Sequence, residues 1–255
     1  MIHFVGAGPG DKDLLTLKGA RLLSQADCVI YAGSLVNAEL LEFTKPECEI
    51  HDSARMTLEE IVTIMHRFAM RNENVVRLHT GDPSLYGAIR EQIDMLIQYG
   101  ISYEVVPGVS SFSAAAATLG VEYTLPGVSQ TLILTRMEGR TPVPPNENIA
   151  DLAKIGTSMA IFLSADKLSE LSARLIDGGY ADDTPAAIVY KASWSDEIKV
   201  RTTLAKLADE GKKIGVTKTA LILVGNFLDN TYERSMLYHR DFSHGYRTAT
   251  EPDKM

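Results

Sequence analysis

Three short loops rich in glycine and proline carry the residue types from which a ligand site can be built. The first, at 6–11, is Gly-Ala-Gly-Pro-Gly-Asp; the second, at 80–83, is Thr-Gly-Asp-Pro; the third, at 106–111, is Val-Pro-Gly-Val-Ser-Ser. Each loop follows a short apolar run. In open α/β sheets, ligands bind beyond the carboxyl ends of the strands. The three loops are therefore the predicted site.

The first loop resembles the start of a dinucleotide-binding loop but lacks its spacing. That fingerprint is Gly-x-Gly-x-x-Gly opening a helix directly, whereas the glycines here stand at positions 6, 8 and 10. Pro9 also has no amide to offer a pyrophosphate. The next apolar run ends in Tyr-Ala-Gly at 31–33, without the acidic residue that binds a ribose. These features argue against a NAD site, and the sequence has no P-loop pattern.

Alternating strand and helix patterns would position the three loops. In the first half, apolar runs predict strands at 2–5, 28–31, 75–78 and 104–106, and 3.6-residue periodicity predicts helices through 17–26, 58–69 and 85–96. Thr57 and Glu60 form a capping box before the second helix, and Gly100 is the predicted C′ glycine of the third. This βαβα order predicts a mostly parallel sheet covered on both faces.

The alternation resumes after a small, Ala-rich helix predicted at 110–119. Further strands are predicted at 131–135, 160–163, 186–190 and 220–224, with a helix at 167–176. We therefore expect an α/β fold of two α/β domains. Their predicted bounds are 1–115 for the N-terminal domain, 116–232 for the C-terminal domain, and 233–255 for a polar tail.

The composition excludes several classes of function. The chain has 255 residues, a net charge of −8 and 45% hydrophobic residues, as expected for a globular protein without disulfide staples. The acidic balance argues against a nucleic-acid partner. A signal-peptide pattern and an apolar run of about 18 residues are both missing, so no membrane partner is expected. Cys28 and Cys48 lack CxxC spacing and the histidines lack metal-ligand spacing, which predicts a cytoplasmic setting and no metal site.

In content and order, the motifs resemble those of the tetrapyrrole (precorrin) methylase family. The matching segments are the first loop with Asp-Leu-Leu-Thr at 13–16, the second loop with Tyr86-Gly87, the third loop, and Ala-Leu-Ile-Leu-Val-Gly at 220–225. The resemblance covers residues 1 to about 230. Within the family, the segments at 31–36 and 192–197 are similar to the branch that methylates C11 of precorrin-4 or cobalt-precorrin-4.

The resemblance implies the α/β fold of the family and S-adenosylmethionine bound, in a folded conformation, in a cleft between the two halves. It implies cofactor contacts by residues of both halves: Pro9, Gly81, Asp82, Leu85, Ser110, Ser111, Leu163, Ala192 and Ala220. Leu163 stands where many relatives have Met. For Asp82, an alternative interpretation is a turn-forming residue before Pro83.

The implied reaction transfers the methyl group to an electron-rich carbon of a corrin precursor and releases S-adenosylhomocysteine. The protein then has to position the reactants in line, exclude water and remove a proton. The chain departs from its uroporphyrinogen-methylating relatives, which have an Asp where this chain has Ala32. Their proposed lysine proton donor likewise has no match in 51–55. Uroporphyrinogen is therefore disfavoured as substrate, and the catalytic base is unassigned.

A tetrapyrrole substrate carries many carboxylates, so we expect a local basic patch on this acidic protein. Arg55, Arg77 and His79 are candidates, and Arg136 and Arg140 in the proline-rich segment are the pair predicted to bind substrate. Trp194 allows two interpretations: it stacks on the macrocycle or is a structural residue at a strand-end corner. The resemblance also implies a homodimer.

Three functions remain open at the level of sequence. The first is C11 methylation in cobalamin biosynthesis. The second is another methylation within the superfamily, either at a different tetrapyrrole position or on ribosomal RNA or a modified histidine of a translation factor. The third is a sensor that binds the cofactor or a tetrapyrrole without catalysis, which the missing acid at Ala32 keeps open. Turnover separates the sensor from the enzymes, whereas cofactor binding alone does not.

Overall fold

Five parallel strands form the first sheet of the computed structural model, which describes residues 1–33, 35–229 and 231–249. The strand order is β3-β2-β4-β1-β5, with all neighbouring pairs parallel. The bounds are β1 Ile2–Gly6, β2 Cys28–Tyr31, β3 Glu49–Asp52, β4 Val75–His79 and β5 Tyr103–Val106. The predicted parallel sheet is confirmed. Sequence analysis missed β3, because this edge strand is exposed and has no apolar run.

Four helices accompany this sheet: α1 Leu17–Gln25, α2 Leu58–Ala69, α3 Arg90–Gln98 and α4 Ser111–Leu119. Leu15, before α1, and Leu23, in α1, pack in one buried cluster with alternate residues of the strands. Apolar side chains of α2 and α3 pack in a second buried cluster with the other strand residues. Helices therefore cover both faces of the sheet. The Thr57–Glu60 capping box of α2 is confirmed. The predicted start of α3 at 85 was wrong, because Tyr86 and Ala88 have φ values of 57° and 48°, which a right-handed helix does not allow.

The second sheet has the order β6-β7-β10-β8-β9. Its bounds are β6 Leu132–Arg136, β7 Ser158–Phe162, β8 Pro185–Tyr190, β9 Ile198–Thr203 and β10 Ala220–Val224. Strand β7 pairs with β6 in parallel and with β10 antiparallel. Helices α5 Ile149–Ala153, α6 Leu168–Asp177 and α7 Leu207–Lys213 complete this part of the chain. The predicted α/β class is confirmed; β9, α5 and α7 are additions to the predicted elements.

The contacts divide the chain into two units. The first comprises Met1–Leu119, Val189–Lys199 and Thr219–Leu221, and the second comprises Gly120–Ile188, Val200–Lys218 and the chain from Ile222 onward. The connection between β8 and β9 therefore belongs with the first unit. The predicted domain bounds at 115/116 and 232/233 stay a prediction.

The predicted tail includes a short 3₁₀ helix, Met236–Tyr238, while 250–255 lie outside the described residues, as does Ser34 of the 31–36 segment. Within the ranges that the structure describes, no helix is long and apolar enough to cross a bilayer. Both cysteines are free thiols, and burial raises the pKa of Cys28 to about 12.

Candidate functional site

The first and second predicted loops are joined by a pair of backbone hydrogen bonds. The Gly8 N–H donates to the Gly81 carbonyl at 3.3 Å, and the Gly81 N–H donates to the Gly8 carbonyl at 2.8 Å. Both glycines have positive φ, 76° and 61°, which residues with a side chain rarely adopt. The loops after β1 and β4 therefore lie side by side at the carboxyl edge of the sheet.

The third loop packs against both of them at glycine backbone. A Cβ atom added to Gly6 would lie 2.6 Å from the Gly108 Cα and 2.6 Å from the Gly81 carbonyl oxygen. Side chains at these positions would therefore push the loops apart. Gly6 and Gly108 belong to the predicted loops but were not among the predicted contacts, although a glycine at the end of a buried strand is a signal for close backbone approach.

Asp82 links the second loop to the third. One carboxylate oxygen accepts the Gly108 N–H at 2.9 Å, and the other accepts the Ser84 N–H at 2.8 Å and the Ser84 hydroxyl. Burial opposes ionisation, but these hydrogen bonds outweigh it and hold the pKa of Asp82 below its ordinary value. The turn-forming role is thus present, and a cofactor contact by Asp82 remains a prediction.

The other predicted contacts on this edge lie close by. A Cβ atom added to Gly81 would be 3.6 Å from the Ser110 Cα and 3.7 Å from the Ser111 N. Ser110 is buried, and Ser111 is the first residue of α4. Leu85 is half-buried in the turn after Asp82, to whose carbonyl it donates a hydrogen bond at 3.2 Å. The structure brings these residues together around the loop pair.

Ala192 and Ala220 belong to segments that also lie in the first unit. The Lys191 N–H donates to the Thr219 carbonyl at 2.9 Å, which places the two alanines on adjoining backbone. The Asp11 N–H donates to the Ser193 hydroxyl at 3.0 Å, which ties the Ala192 segment to the first loop. Thus Asp11 and Ser193, 182 positions apart along the chain, meet at the candidate site.

Leu163 lies in the second unit, directly after β7. It is 64% exposed and has a φ of 50°, an uncommon conformation for a residue with a branched side chain. Strained backbone of this kind is concentrated at functional sites. Its predicted cofactor contact stays a prediction.

The two arginines predicted to bind substrate differ in their surroundings. The Arg136 guanidinium donates to the carbonyl oxygens of Met137, Thr141 and Pro142 at 3.1, 3.3 and 2.8 Å, and so organises the loop after β6. Arg140 is exposed in that same loop. The structure therefore places Arg136 as support for the segment that presents Arg140.

Arg77 and His79 are buried on the same face of β4, each 6% exposed. Arg77 donates to the Gln92 side-chain oxygen and to the Ile30 carbonyl, both at 3.2 Å, and burial lowers its pKa to about 10. Burial, and then the charge of Arg77, lower the pKa of His79 to about 3, and its Nε2 has no hydrogen-bond partner. Because both side chains are buried, neither is one of the exposed basic groups that we expected to attract a carboxylate-rich substrate.

Two side chains that hold the first loop were not predicted to do so. The Trp194 indole N–H donates to the Pro9 carbonyl at 2.8 Å, and the Asn37 amide donates to the Gly10 carbonyl at 2.9 Å. For Trp194, this contact favours the structural interpretation.

In the described part of the chain, no three His, Cys, Asp or Glu side chains are grouped as a metal site would require.

The chain is similar to methyltransferases of corrin biosynthesis over nearly its whole length. A cobalt-precorrin-4 C(11)-methyltransferase of Methanocaldococcus jannaschii is 55% identical, with 97% of this chain and 96% of the relative covered. The enzyme of the same name from Priestia megaterium is 46% identical, with 99% of each covered. A precorrin-4 C(11)-methyltransferase of Pseudomonas aeruginosa is 44% identical, with 96% and 98% covered.

Solved structures give the same relationship. The X-ray structure of a cobalt precorrin-4 methyltransferase is 48% identical, has a TM-score of 0.88, and covers 89% of this chain and 95% of its own. A uroporphyrin-III C-methyltransferase of Thermus thermophilus complexed with S-adenosylhomocysteine is 29% identical, with a TM-score of 0.75 and 89% and 98% covered. The family model for tetrapyrrole (corrin/porphyrin) methylases matches residues 1–208. The chain therefore belongs to the tetrapyrrole methylase family.

Proposed function

We propose that this protein is an S-adenosylmethionine-dependent C-methyltransferase that methylates C11 of precorrin-4 or cobalt-precorrin-4 in cobalamin biosynthesis. The observation that carries the proposal is the identity of 44–55% to enzymes of that name, over at least 96% of this chain. Uroporphyrinogen-methylating relatives are more distant, at 30% identity. Ala32, in place of the acid of those relatives, also supports the C11 reaction over theirs.

The residues at the carboxyl edge of the first sheet fit S-adenosylmethionine. Glycine backbone and small side chains, those of Ser110, Ser111 and Ala192, suit an adenosine that is held by backbone groups. The low pKa of Asp82 keeps a carboxylate charged at neutral pH, which suits a cofactor with a cationic sulfonium and an ammonium group. The site thus offers a carboxylate and several backbone groups to the cofactor, and binding of this kind needs no metal.

In the proposed mechanism, S-adenosylmethionine supplies an activated methyl group, so the chain needs no nucleophile of its own. The three linked loops hold their backbone groups in fixed positions, and in-line positioning is the main contribution expected of them. Leu85, half-buried beside the linked loops, is proposed to supply apolar surface that keeps water from the transferred methyl group. The carbon that gains the methyl group loses a proton, which passes to a base or to solvent.

The proposed substrate is a tetrapyrrole with several carboxylates. Arg140 is exposed and available for a bidentate contact, whereas Arg136 supports the loop around it through three backbone carbonyls. We therefore assign substrate binding to Arg140 directly and to Arg136 through loop geometry.

The proposal includes a cytoplasmic homodimer. Free thiols at Cys28 and Cys48 suit a reducing compartment. The dimer rests on the family resemblance, and light scattering coupled to size-exclusion chromatography measures it directly.

Calorimetric titration with S-adenosylhomocysteine, with NAD as the control ligand, tests the cofactor. We expect micromolar binding of the first and none of the second. At about 100 times its dissociation constant, the ligand should also stabilise the protein by about 2.7 kcal/mol, seen as a rise in melting temperature. Folded, ligand-free protein that binds neither compound would contradict the proposal.

A further inference from the structure

We propose that Trp194 is a positioning residue that locks the first loop in its cofactor-binding shape, an inference that rests on the proposed function. The indole N–H donates to the carbonyl of Pro9, at 2.8 Å. Pro9 is one of the predicted cofactor contacts. The hydrogen bond therefore acts on the very residue through which the first loop would meet the cofactor.

The indole also explains why residue 10 is glycine. Gly10 does not have positive φ, so its backbone does not itself call for glycine. A Cβ atom there would instead overlap the Cδ1, Nε1 and Cγ atoms of the Trp194 ring. The ring occupies the space of a side chain at position 10, which fixes the loop by packing as well as by hydrogen bonding.

The segment that carries Trp194 is itself held rigidly in the first unit. The Glu197 carboxylate accepts the Ser193 N–H at 2.6 Å and the Thr118 hydroxyl, from the last turn of α4, at 2.8 Å. Lys191 and Ser193 have positive φ values of 48° and 69°. Non-glycine residues adopt such backbone only where their surroundings enforce it. Here the Glu197 carboxylate holds Ser193, and the Thr219 carbonyl accepts the Lys191 N–H.

The first loop is thus held by side chains on two of its carbonyls, Pro9 by Trp194 and Gly10 by Asn37. The Asp11 N–H is taken up by the Ser193 hydroxyl. The Asp11 carbonyl in turn accepts the Leu14 N–H at 3.1 Å, so several backbone groups of 9–11 are held by partners outside the loop. A loop held in this way binds a ligand without an ordering cost, and losing one contact should appear as weaker binding.

Trp194 is the sole tryptophan of the chain, so its fluorescence reports on the first loop. The Lys191 ammonium lies 5.2 Å from the centroid of the Trp194 ring, and the Pro9 carbonyl accepts the indole N–H. A ligand bound against Pro9 adds polar groups close to the ring, and these alter the indole emission without displacing either neighbour. We expect S-adenosylhomocysteine to change the emission with the same midpoint that calorimetry gives.

The test compares Trp194→Phe with the wild type. Phenylalanine keeps an aromatic ring over Gly10 but cannot donate to Pro9. We expect about tenfold weaker binding of S-adenosylhomocysteine, because one hydrogen bond of ordinary strength is lost. The KM for S-adenosylmethionine should rise by a similar factor, while kcat at saturation stays within about twofold, as expected for a residue that does not touch the reacting atoms.

Asp196→Asn is the matched control. Asp196 lies in the same segment and pairs with Lys191 at 2.5 Å, and its side chain is 56% exposed. It should bind S-adenosylhomocysteine with wild-type affinity. An equal loss in the control would show general damage to the segment and would overturn the proposal.

Two further results would overturn it without touching the proposed function. One is wild-type affinity in Trp194→Phe; the other is unchanged emission of the wild-type protein at S-adenosylhomocysteine concentrations that calorimetry shows to be saturating. The emission test uses the unmodified chain, so it remains decisive if the variant folds poorly. Failure of the proposed function would look different, because the wild type itself would then show no calorimetric binding.

Discussion

Replacing Asp82 by alanine tests whether its carboxylate holds the second and third loops together. The change removes the acceptor of the Gly108 N–H, at 2.9 Å, and of the Ser84 N–H, at 2.8 Å. A hydrogen bond to a charged group contributes about 1.5–3 kcal/mol. Ser84 is exposed, so water replaces its lost partner, and the expected cost is about 2 kcal/mol, mainly from the half-buried Gly108.

Scanning calorimetry at pH 7 measures this cost. In a chain of this size, each kcal/mol lowers Tm by about 2–4 °C, so Asp82→Ala should melt about 4–8 °C below the wild type. Ser84→Ala removes only the hydroxyl contact with the same carboxylate, and its Tm should lie within about 1 °C of the wild type. Asp82→Asn retains one acceptor oxygen, and its Tm should lie between the Tm of Asp82→Ala and that of Ser84→Ala.

The effect should also depend on pH in a defined direction. Burial raises the pKa of Asp82, but the hydrogen bonds from Ser84 and Gly108 outweigh it and leave the pKa lowered. The stability from such a carboxyl is complete above the unfolded pKa, about 3.9, and is lost as the pH falls through the folded pKa. The Tm difference between wild type and Asp82→Ala should therefore shrink below about pH 4. Identical melting of the two proteins at pH 7 would refute the linking role.

Three other perturbations have expected outcomes. Gly6→Ala places a Cβ atom 2.6 Å from backbone atoms of the two other loops and should lower the free energy of unfolding in urea by about 3 kcal/mol. In the control Gly139→Ala, the new Cβ atom meets nothing within 4 Å. Equal stabilities of the two variants would contradict the close approach. Protons bind the unfolded imidazole of His79 below about pH 6.5, but burial lowers its folded pKa to about 3, so acidification between these values favours unfolding. His79→Gln should make that pH dependence shallower, and an unchanged slope would exclude a buried neutral His79. Arg140→Gln should raise the KM for the tetrapyrrole about two- to fivefold and leave that for S-adenosylmethionine unchanged, and an unaltered tetrapyrrole KM would remove Arg140 from the substrate site.

The interior of the fold could be predicted from the sequence because its strands are continuous apolar runs. Strands β2 and β10 have this pattern, and β1 and β4 interrupt it only with His3, Arg77 and His79. The edge strands β3 and β9 do not have it: neither contains a buried residue, both are rich in charged and polar residues, and both were missed. The edge strands β5 and β6 were found because they keep short apolar runs. The start of α3 was placed too early because the periodicity of 85–96 continues through a turn whose positive φ values leave no trace in the residue types.

The loops of the candidate site were predictable, but the contacts that hold them were not. Glycine and proline at strand ends mark the loops locally. The partner of Pro9, by contrast, is Trp194, 185 positions along the chain, and only the fold brings the two together. Asp82 shows the same limit: its type and neighbours indicate a turn, whereas its bond to Gly108 depends on the pairing of β1 with β4 and β5.

Methyl transfer from ¹³C-methyl-labelled S-adenosylmethionine to precorrin-4 and to cobalt-precorrin-4 tests the proposed function most directly. The account predicts that at least one of the two gains a single labelled methyl group, which NMR places at C11, with stoichiometric release of S-adenosylhomocysteine. Label at another carbon would contradict the C11 assignment. Tight binding of S-adenosylhomocysteine without transfer to either substrate would contradict the enzyme and leave a sensor in its place.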